Sequence, residues 1–193
     1  MYVPKHFAIG DREEIFSFIE HNSFGQLISS VNDRPFATHM PFLMADDYES
    51  ISGHIAKQNP QWENIHEQEV LISLQGPHDY ISPSAYNSPG VPTWNYQAVH
   101  VYGICRVFNE PERLKVLVES LTDKYEKFRP NPWVADYHEA MLKAIVGLEV
   151  SITEIQCKYK VSQNRPEQDK NPIIEQLESN GSNRLANAMR GQK

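Results

Sequence analysis

The residues best suited to hold a charged ligand lie in one segment, Gly53–Trp62, with the sequence GHIAKQNPQW. It reads as a strand that runs into a short helix, with Asn59 as cap and Pro60 at the first helical position. A helix start exposes unpaired N–H groups that suit a phosphate, and Lys57 adds a full positive charge. His54 and Asn59 offer further donors. The segment predicts a phosphate site, although an ordinary Asn-Pro cap beside a solvated lysine explains the pattern equally well.

A stiff aromatic stretch lies downstream, between two predicted strands. The loop Tyr80–Tyr96 is rich in prolines, which restrict the backbone, and it carries Trp94 and Asn95 near its end. Thr38 and His39 stand on a strand predicted to neighbour the lysine-bearing segment, so we expect them near the same phosphate. A phosphate site beside an aromatic wall indicates a nucleotide-like cofactor. An ordinary packed connection is the alternative explanation of the loop.

Sequence patterns of known catalytic centres are missing. The chain has no nucleophile elbow, zinc-protease motif, P-loop or dinucleotide-binding glycine pattern. Its eight histidines show no paired metal spacing. His39 and His54 are the one pair that the predicted strands bring close, but no third zinc ligand is evident, so we expect no metal site.

Charge is distributed unevenly along the 193 residues, whose net charge is −7. The segment Lys158–Lys193 carries seven basic and four acidic residues, a balance of +3, which leaves −10 for the rest of the chain. A basic tail on an acidic body predicts a contact with nucleic acid. A solvated tail without a partner is the alternative.

Composition points to a cytoplasmic protein. No run approaches the roughly 18 apolar residues of a transmembrane helix, and Met1–Phe7 lacks the apolar block of a signal peptide. The two cysteines, Cys105 and Cys157, are far apart and lack CxxC partners, so we expect buried, reduced thiols.

Hydrophobic periodicity predicts an antiparallel barrel of six strands with flanking helices, a mainly β, α+β fold. The strands are predicted at residues 26–31, 35–43, 51–56, 70–74, 93–108 and 148–161. Helices are predicted from Asp11 to before Gly25, and at residues 60–65, 110–127, 134–146, 171–179 and 182–189. A break is expected at Gly76-Pro77. A change of phase between Ile152 and Ile155 predicts a β-bulge.

Several motifs in their order along the chain resemble the PaiB family. They are MYVPKHF at the start, ATHMPF at 37–42, GHIAKQNPQW at 53–62, GPHDYISP at 76–83, VPTWNY at 91–96 with Val99-His100, and KVSQNR at 160–165. The resemblance covers nearly the whole chain. It departs from the family at Ala85, where a tryptophan is expected before Tyr86.

The resemblance implies an FMN-binding split barrel over residues 1–165 and a C-terminal helical tail over residues 166–193. It implies a homodimer with FMN at the interface, and negative regulation of protease production and sporulation. The FMN-binding residues that it implies are Thr38, His39, His54, Ala56, Lys57, Asn59, Trp94 and Asn95, with Gln163 and Asn164 as weaker candidates. Trp94 and Asn95 would approach the flavin ring, from the second subunit.

Three functions remain open from the sequence. A regulator would contact DNA through the tail, whose predicted helix, Gly181 turn and second helix loosely resemble a helix-turn-helix, or would act indirectly. An FMN-dependent oxidoreductase, or a haem-degrading relative, would need little from the protein beyond a proton donor such as His39, His78 or His100. A plain structural dimer with a vestigial pocket is the third.

Overall fold

The computed structural model describes residues 1–191 and has the predicted α+β architecture. The strands are β1 Phe24–Val31, β2 Arg34–Pro41, β3 Leu43–Met44, β4 Ser50–Ala56, β5 Gln68–Ile81, β6 Thr93–Phe108 and β7 Ile145–Lys160. The helices are α1 Arg12–His21, α2 Trp62–Ile65, α3 Pro111–Glu126, α4 Glu139–Leu142, α5 Glu167–Ser179 and α6 Asn183–Gly191. Short 3-10 turns cover Lys5–Phe7 and Pro83–Ala85.

The strands form one antiparallel sheet in the order β2-β1-β5-β6-β7-β4-β3. All six predicted strands are present. The seventh, β3, arises because the chain bends at Phe42, whose N–H donates to the carbonyl of Ser23 at 2.8 Å. The β1–β2 hairpin turns at Asn32 and Asp33, which have φ of 51° and 59°. Asn and Asp tolerate this left-handed conformation, which suits a tight hairpin turn.

The chain divides into two compact units. Unit 1 comprises Met1–Phe18, Gln75–Val99 and the chain from Gln156 onward, and unit 2 comprises Ile19–Leu74 and His100–Ile155. The long strands β5, β6 and β7 contribute residues to both. The predicted boundary between residues 165 and 166 stays a prediction.

The hydrophobic core of unit 2 packs α3 against Phe108, at the end of β6. The apolar stripe of α3 packs against Phe108 and Leu142, and burying such a stripe is what stabilises an amphipathic helix. The buried members from α3 are Leu114, Leu117, Val118 and Leu121. Arg113, in the first turn of α3, lies 3.9 Å from the centre of the Phe108 ring and pairs with Glu149 at 2.7 Å.

Unit 1 contains the two C-terminal helices. They are joined at Gly181, which has φ +83°, a conformation that glycine adopts without strain. The N–H of Ser182 donates to the carbonyl of Leu177 at 2.8 Å and closes the end of α5. The apolar faces of these helices are buried at Ile173, Ile174, Leu177, Leu185, Ala186 and Met189.

The predicted break at Gly76-Pro77 is wrong, because β5 continues through it to Ile81. Proline fits a strand wherever its missing N–H is not needed by the ladder. Gly76 is required by close packing: a Cβ there would lie 2.6 Å from Cε2 of Phe18 and 3.2 Å from Cβ of Gln97.

The predicted helix at residues 134–146 is also wrong. Residues 134–138 form no helix, α4 covers only the single turn Glu139–Leu142, and Val134 is 81% exposed. Ile145 instead pairs with Ala56 of β4 in the sheet. The ladder of hydrogen bonds to β4 therefore overrides the helical spacing of the apolar residues.

Burial along β6 and β7 follows the predicted alternation with one change. On β6 the residues from Asn95 to Cys105 alternate between a buried face and a face that is half-buried or exposed. On β7 the alternating buried positions change from even numbers, at Val146, Leu148 and Val150, to odd numbers, at Cys157 and Tyr159, although Gly147 and Lys158 are buried as well. Cys105 and Cys157 are buried free thiols, as predicted. Among residues 1–191, no helix is long and apolar enough to cross a membrane.

Candidate functional site

The segment that follows β4 is held by a buried side chain, Gln61, which is 0% exposed. Its Nε2 donates to the hydroxyl of Ser29 at 2.8 Å and to the carbonyl of Leu27 at 3.2 Å. Its Oε1 accepts the hydroxyl proton of Thr38 at 2.6 Å. Gln61 thus ties the segment to β1 and β2. No sequence pattern indicates this role, because a single glutamine beside a proline forms no periodic pattern or spaced motif.

Thr38 and Asn59, both predicted site residues, meet in this network. The side-chain amide of Asn59 donates to Thr38 Oγ1 at 2.8 Å, and its oxygen accepts the N–H of Gln61 at 3.0 Å. The single proton of the Thr38 hydroxyl is therefore used, and only one acceptor position remains on that oxygen. Asn59 keeps one amide hydrogen beyond these contacts.

The helix predicted to begin at Pro60 begins instead at Trp62 and has a single turn, to Ile65. One turn aligns few peptide dipoles, so a helix dipole contributes little to binding a phosphate here. The predicted cap at Asn59 is also wrong, because the residue before α2 is Gln61; Asn59 instead accepts the N–H of Gln61 and forms a side-chain turn just ahead of the helix. The polar character of the segment rests on side chains rather than on a helix end.

Lys57 has an exposed side chain on a fixed backbone. Its N–H donates to the carbonyl of Ala144 at 2.8 Å, and its own carbonyl accepts the indole N–H of Trp62 at 2.9 Å. Ala56 beside it is exposed and small, which leaves open space next to the lysine. Lys57, Ala56, Asn59 and Thr38 therefore form one polar, partly exposed region of unit 2.

His39 and His54 have other surroundings. Neighbouring residues of a strand project to opposite faces, so His39 is directed away from Thr38, and its Nε2 lies 3.0 Å from the side-chain amide of Gln26. His54 lines a largely apolar cavity against α3. Burial lowers the pKa of His54, so its imidazole is neutral near pH 7.

Trp94 and Asn95 lie in unit 1 and differ sharply in exposure. Trp94 is 54% exposed, and its ring lies 6.1 Å from that of Tyr80 and 6.4 Å from that of His78. Asn95 is 1% exposed and donates to the hydroxyl of Ser162 at 2.9 Å. Trp94 is thus available to a ligand or partner, whereas Asn95 holds β6 to the turn after β7.

The weaker candidates, Gln163 and Asn164, follow β7 in unit 1. The side chain of Gln163 accepts the N–H of Val161 at 2.9 Å and turns back toward β7. Asn164 lines a small cleft of about 120 Å³ with Lys160 and Arg165. Among the described residues, no group of three His, Cys, Asp or Glu is placed to hold a metal ion.

Comparison with known proteins identifies the family. Residues 1–154 match a family model described as "Putative FMN-binding domain". The chain is 45% identical over 190 residues to protease synthase and sporulation protein PAI 2 of Bacillus subtilis, covering 93% of this chain and 90% of that protein. The chain belongs to the PaiB family. This confirms the membership of the PaiB family that the sequence motifs predicted.

Solved structures share the fold of this PaiB-family chain at low identity. The flavocytochrome Anf3 of Azotobacter vinelandii matches with a TM-score of 0.69 and 18% identity, covering 88% of this chain and 78% of that one. The FAD and heme binding protein of Mycobacterium smegmatis matches with a TM-score of 0.65 and 15% identity, covering 86% and 78%. The PaiB-family chain therefore has the split-barrel fold of flavin-binding proteins.

Proposed function

We propose that this protein binds FMN as a homodimer and acts as a negative regulator of transcription that affects protease production and sporulation. The observation that carries the FMN part is Lys57: an exposed cation on a fixed backbone, beside the spare amide hydrogen of Asn59, in a chain of the FMN-binding-domain family. The regulatory part rests on the PaiB relative, whose name refers to protease synthesis and sporulation.

The FMN phosphate is proposed to sit at Lys57 and Asn59. Charge-assisted hydrogen bonds to phosphate are stronger than neutral ones, and Lys57 would supply such a bond. Asn59 adds a donor, and the small side chain of Ala56 allows close approach. Thr38 acts as a positioning residue, because its hydroxyl proton is used by Gln61 while its oxygen holds Asn59. His39 and His54 remain predictions from the resemblance, and the proposal does not depend on them.

The flavin ring is proposed to lie against Trp94, contributed by a second copy of the chain. Trp94 and Tyr80 are exposed aromatic side chains in mutual contact, which is unusual for a surface without a partner. The less buried face of β6 carries Tyr96, His100, Tyr102 and Ile104, and an interface between two copies would cover it. Asn95 is proposed to support Trp94 from the buried side rather than to touch the ring.

A second candidate function is an FMN-dependent oxidoreductase without direct DNA binding. FMN when bound supplies hydride and electron transfer. The observation that favours this candidate is His78, whose imidazole lies beside the exposed Trp94 and offers a proton donor at the proposed ring. Oxidation of NADH or NADPH by the FMN-loaded protein, lost in His78→Ala with FMN still bound, would identify this activity.

Direct DNA contact through the tail is the weakest part of the regulatory proposal on structural grounds. Helix α6 buries Leu185 and Met189, and Arg190 pairs with Glu178 of α5. A recognition helix needs exposed residues that reach the bases. If the tail contacts DNA, we expect a salt-dependent gel shift with promoter DNA that is weakened by Arg184→Gln. No shift of the full chain at low salt would reject direct DNA binding, and repression would then act through a partner protein or indirectly.

The test of the FMN site is titration of the purified chain with FMN, followed by flavin fluorescence. Saturable binding that is weakened by Lys57→Ala supports the site. The absence of saturable binding would reject it.

A further inference from the structure

Unit 2 contains a cavity of about 410 Å³ that the proposed FMN contacts do not use. It lies between α3, α4 and the segment that joins them, with Leu121 at its base and Met141 at its rim. Aromatic rings of Tyr125, Trp133 and Tyr137 line it. Its size falls within the range of about 300–1,000 Å³ that is typical of small-molecule sites.

Two tyrosine hydroxyls of this cavity are satisfied within the protein, whereas one imidazole nitrogen is not. The hydroxyl of Tyr125 bonds that of Ser23 at 2.8 Å, and the hydroxyl of Tyr137 bonds that of Thr122 at 2.6 Å. Nδ1 of His54 is buried, and within residues 1–191 no group forms a hydrogen bond with it. A buried polar atom without a partner costs about 1–3 kcal/mol. Because this nitrogen is buried, a ligand in the cavity meets the rest of the His54 ring rather than Nδ1.

We propose that this cavity binds a small planar aromatic molecule that carries one hydroxyl or N–H group, with the imidazole of His54 as its polar contact. The flat aromatic walls select a ring, since aromatic side chains pack favourably edge-on or offset against another ring. The imidazole of His54 selects one polar group on that ring. Burial keeps His54 neutral by lowering its pKa, which leaves one ring nitrogen free to accept.

Entry to the cavity runs past the segment between α3 and α4. Trp133 and Met141 are about half exposed, at 51% and 50%, although both line the cavity. The N–H of Trp133 donates to the carboxylate of Glu126 at 2.8 Å, which fixes the segment over the opening. A ligand can therefore reach the cavity beside this segment without unfolding of the sheet.

This site is independent of the proposed FMN site, because the phosphate contacts of that proposal are Lys57 and Asn59, neither of which lines the cavity. Lys57→Ala is expected to weaken FMN binding and to leave the affinity for an aromatic alcohol unchanged. The two proposals can therefore fail separately.

The test is calorimetric titration of the full chain with 2-naphthol, which has a donor, and with naphthalene, which does not. We expect one saturable site for 2-naphthol, weakened about 3- to 10-fold by His54→Phe, and no effect of that change on naphthalene. His100→Phe is the matched control, because Nδ1 of His100 is also buried without a partner but His100 does not line this cavity. It is expected to leave the 2-naphthol affinity unchanged.

His54→Leu, checked for folding by circular dichroism, serves as a second variant if His54→Phe does not fold. Three results would overturn the proposal: no saturable binding of 2-naphthol, equal losses for 2-naphthol and naphthalene in both folded His54 variants, or displacement of 2-naphthol by saturating FMN. The last result would place the flavin itself in the cavity.

Discussion

The hydroxyl of Thr38 donates to the buried side-chain oxygen of Gln61 at 2.6 Å, across a separation of 23 residues. This bond joins β2 to the segment after β4. It also fixes Asn59, which donates to the same hydroxyl. The proposed phosphate site is therefore held by a residue that would not touch the ligand.

Replacing Gln61 by Ala is expected to lower the free energy of unfolding by about 1–3 kcal/mol, because it leaves the Thr38 hydroxyl and the Leu27 carbonyl without their buried partner. Chemical denaturation of both proteins measures the change. Gln58→Ala is the matched control, since Gln58 is exposed in the same segment and its loss should cost little. Equal stabilities of the two variants would contradict the role of Gln61.

Gly76→Ala is expected to destabilise the protein by about 1–3 kcal/mol through overpacking against Phe18 and Gln97. Thermal or chemical unfolding measures this. Gly10→Ala is the control, because a Cβ at Gly10 would meet no atom within 4 Å. Adding Phe18→Leu to Gly76→Ala should restore part of the lost stability. A double variant whose loss of unfolding free energy exceeds the summed losses of the two single variants would argue against a steric cause.

Asp169→Ala is expected to loosen the loop before β6. Asp169 is 0% exposed and accepts the backbone N–H groups of Asn87 at 3.2 Å and Ser88 at 3.1 Å. Leaving these donors unpaired should cost about 1–3 kcal/mol and speed hydrogen exchange at both amides. Glu175→Ala, an exposed change on the same helix, should leave exchange unaltered. Unchanged exchange at Asn87 and Ser88 in the Asp169 variant would contradict this anchor.

Thiol reactivity is expected to be low in the folded protein. Burial raises the pKa of Cys105 and of Cys157 to about 12, so at pH 8 almost none of either thiol is in the reactive thiolate form. A colorimetric disulfide reagent should react slowly with the native chain and fast after unfolding. Ser84→Cys, an exposed position, provides a fast-reacting control. Rapid reaction of either native cysteine would show that it is accessible.

The sequence predicted the strands whose side chains alternate. The predicted and observed bounds of β6, Thr93–Phe108, are the same, because its alternation is strict and it begins after a proline-rich loop. The hairpin at Asn32-Asp33 was equally clear, since these residues favour the conformation that the turn needs. Strict alternation and turn-forming residues can be recognised in the sequence without knowledge of the tertiary contacts.

Features that depend on distant neighbours could not be predicted. Gly76 sits inside a strand because Phe18 and Gln97 fill the space beside it, whereas the sequence pattern indicated a break. Ile145 joins β4 although its spacing from the apolar residues before it favours a helix. In both places tertiary packing overrides local preference.

The candidate site was predicted only in part, because some of its residues are brought together by tertiary contacts rather than by a local pattern. Lys57 and Asn59 were found because they stand together in one recognisable segment. The contact of Thr38 with Asn59 was expected from adjacent strands, but β2 and β4 are not hydrogen-bonded neighbours in the sheet. It depends, as the role of Gln61 does, on contacts that no local pattern indicates. The cavity beside His54 depends on a segment that the sequence assigned to a helix.

FMN binding at Lys57 is best examined by titrating FMN against the wild-type chain, Lys57→Ala and Lys115→Ala. Lys115 is an exposed lysine of α3 in the same unit and so controls for a general loss of positive charge. We expect saturable binding to the wild type and to Lys115→Ala, and about 10-fold weaker binding to Lys57→Ala, since a hydrogen bond to a charged group contributes about 1.5–3 kcal/mol before screening by water. Equal affinities of the two variants, or no saturable binding to the wild type, would contradict it.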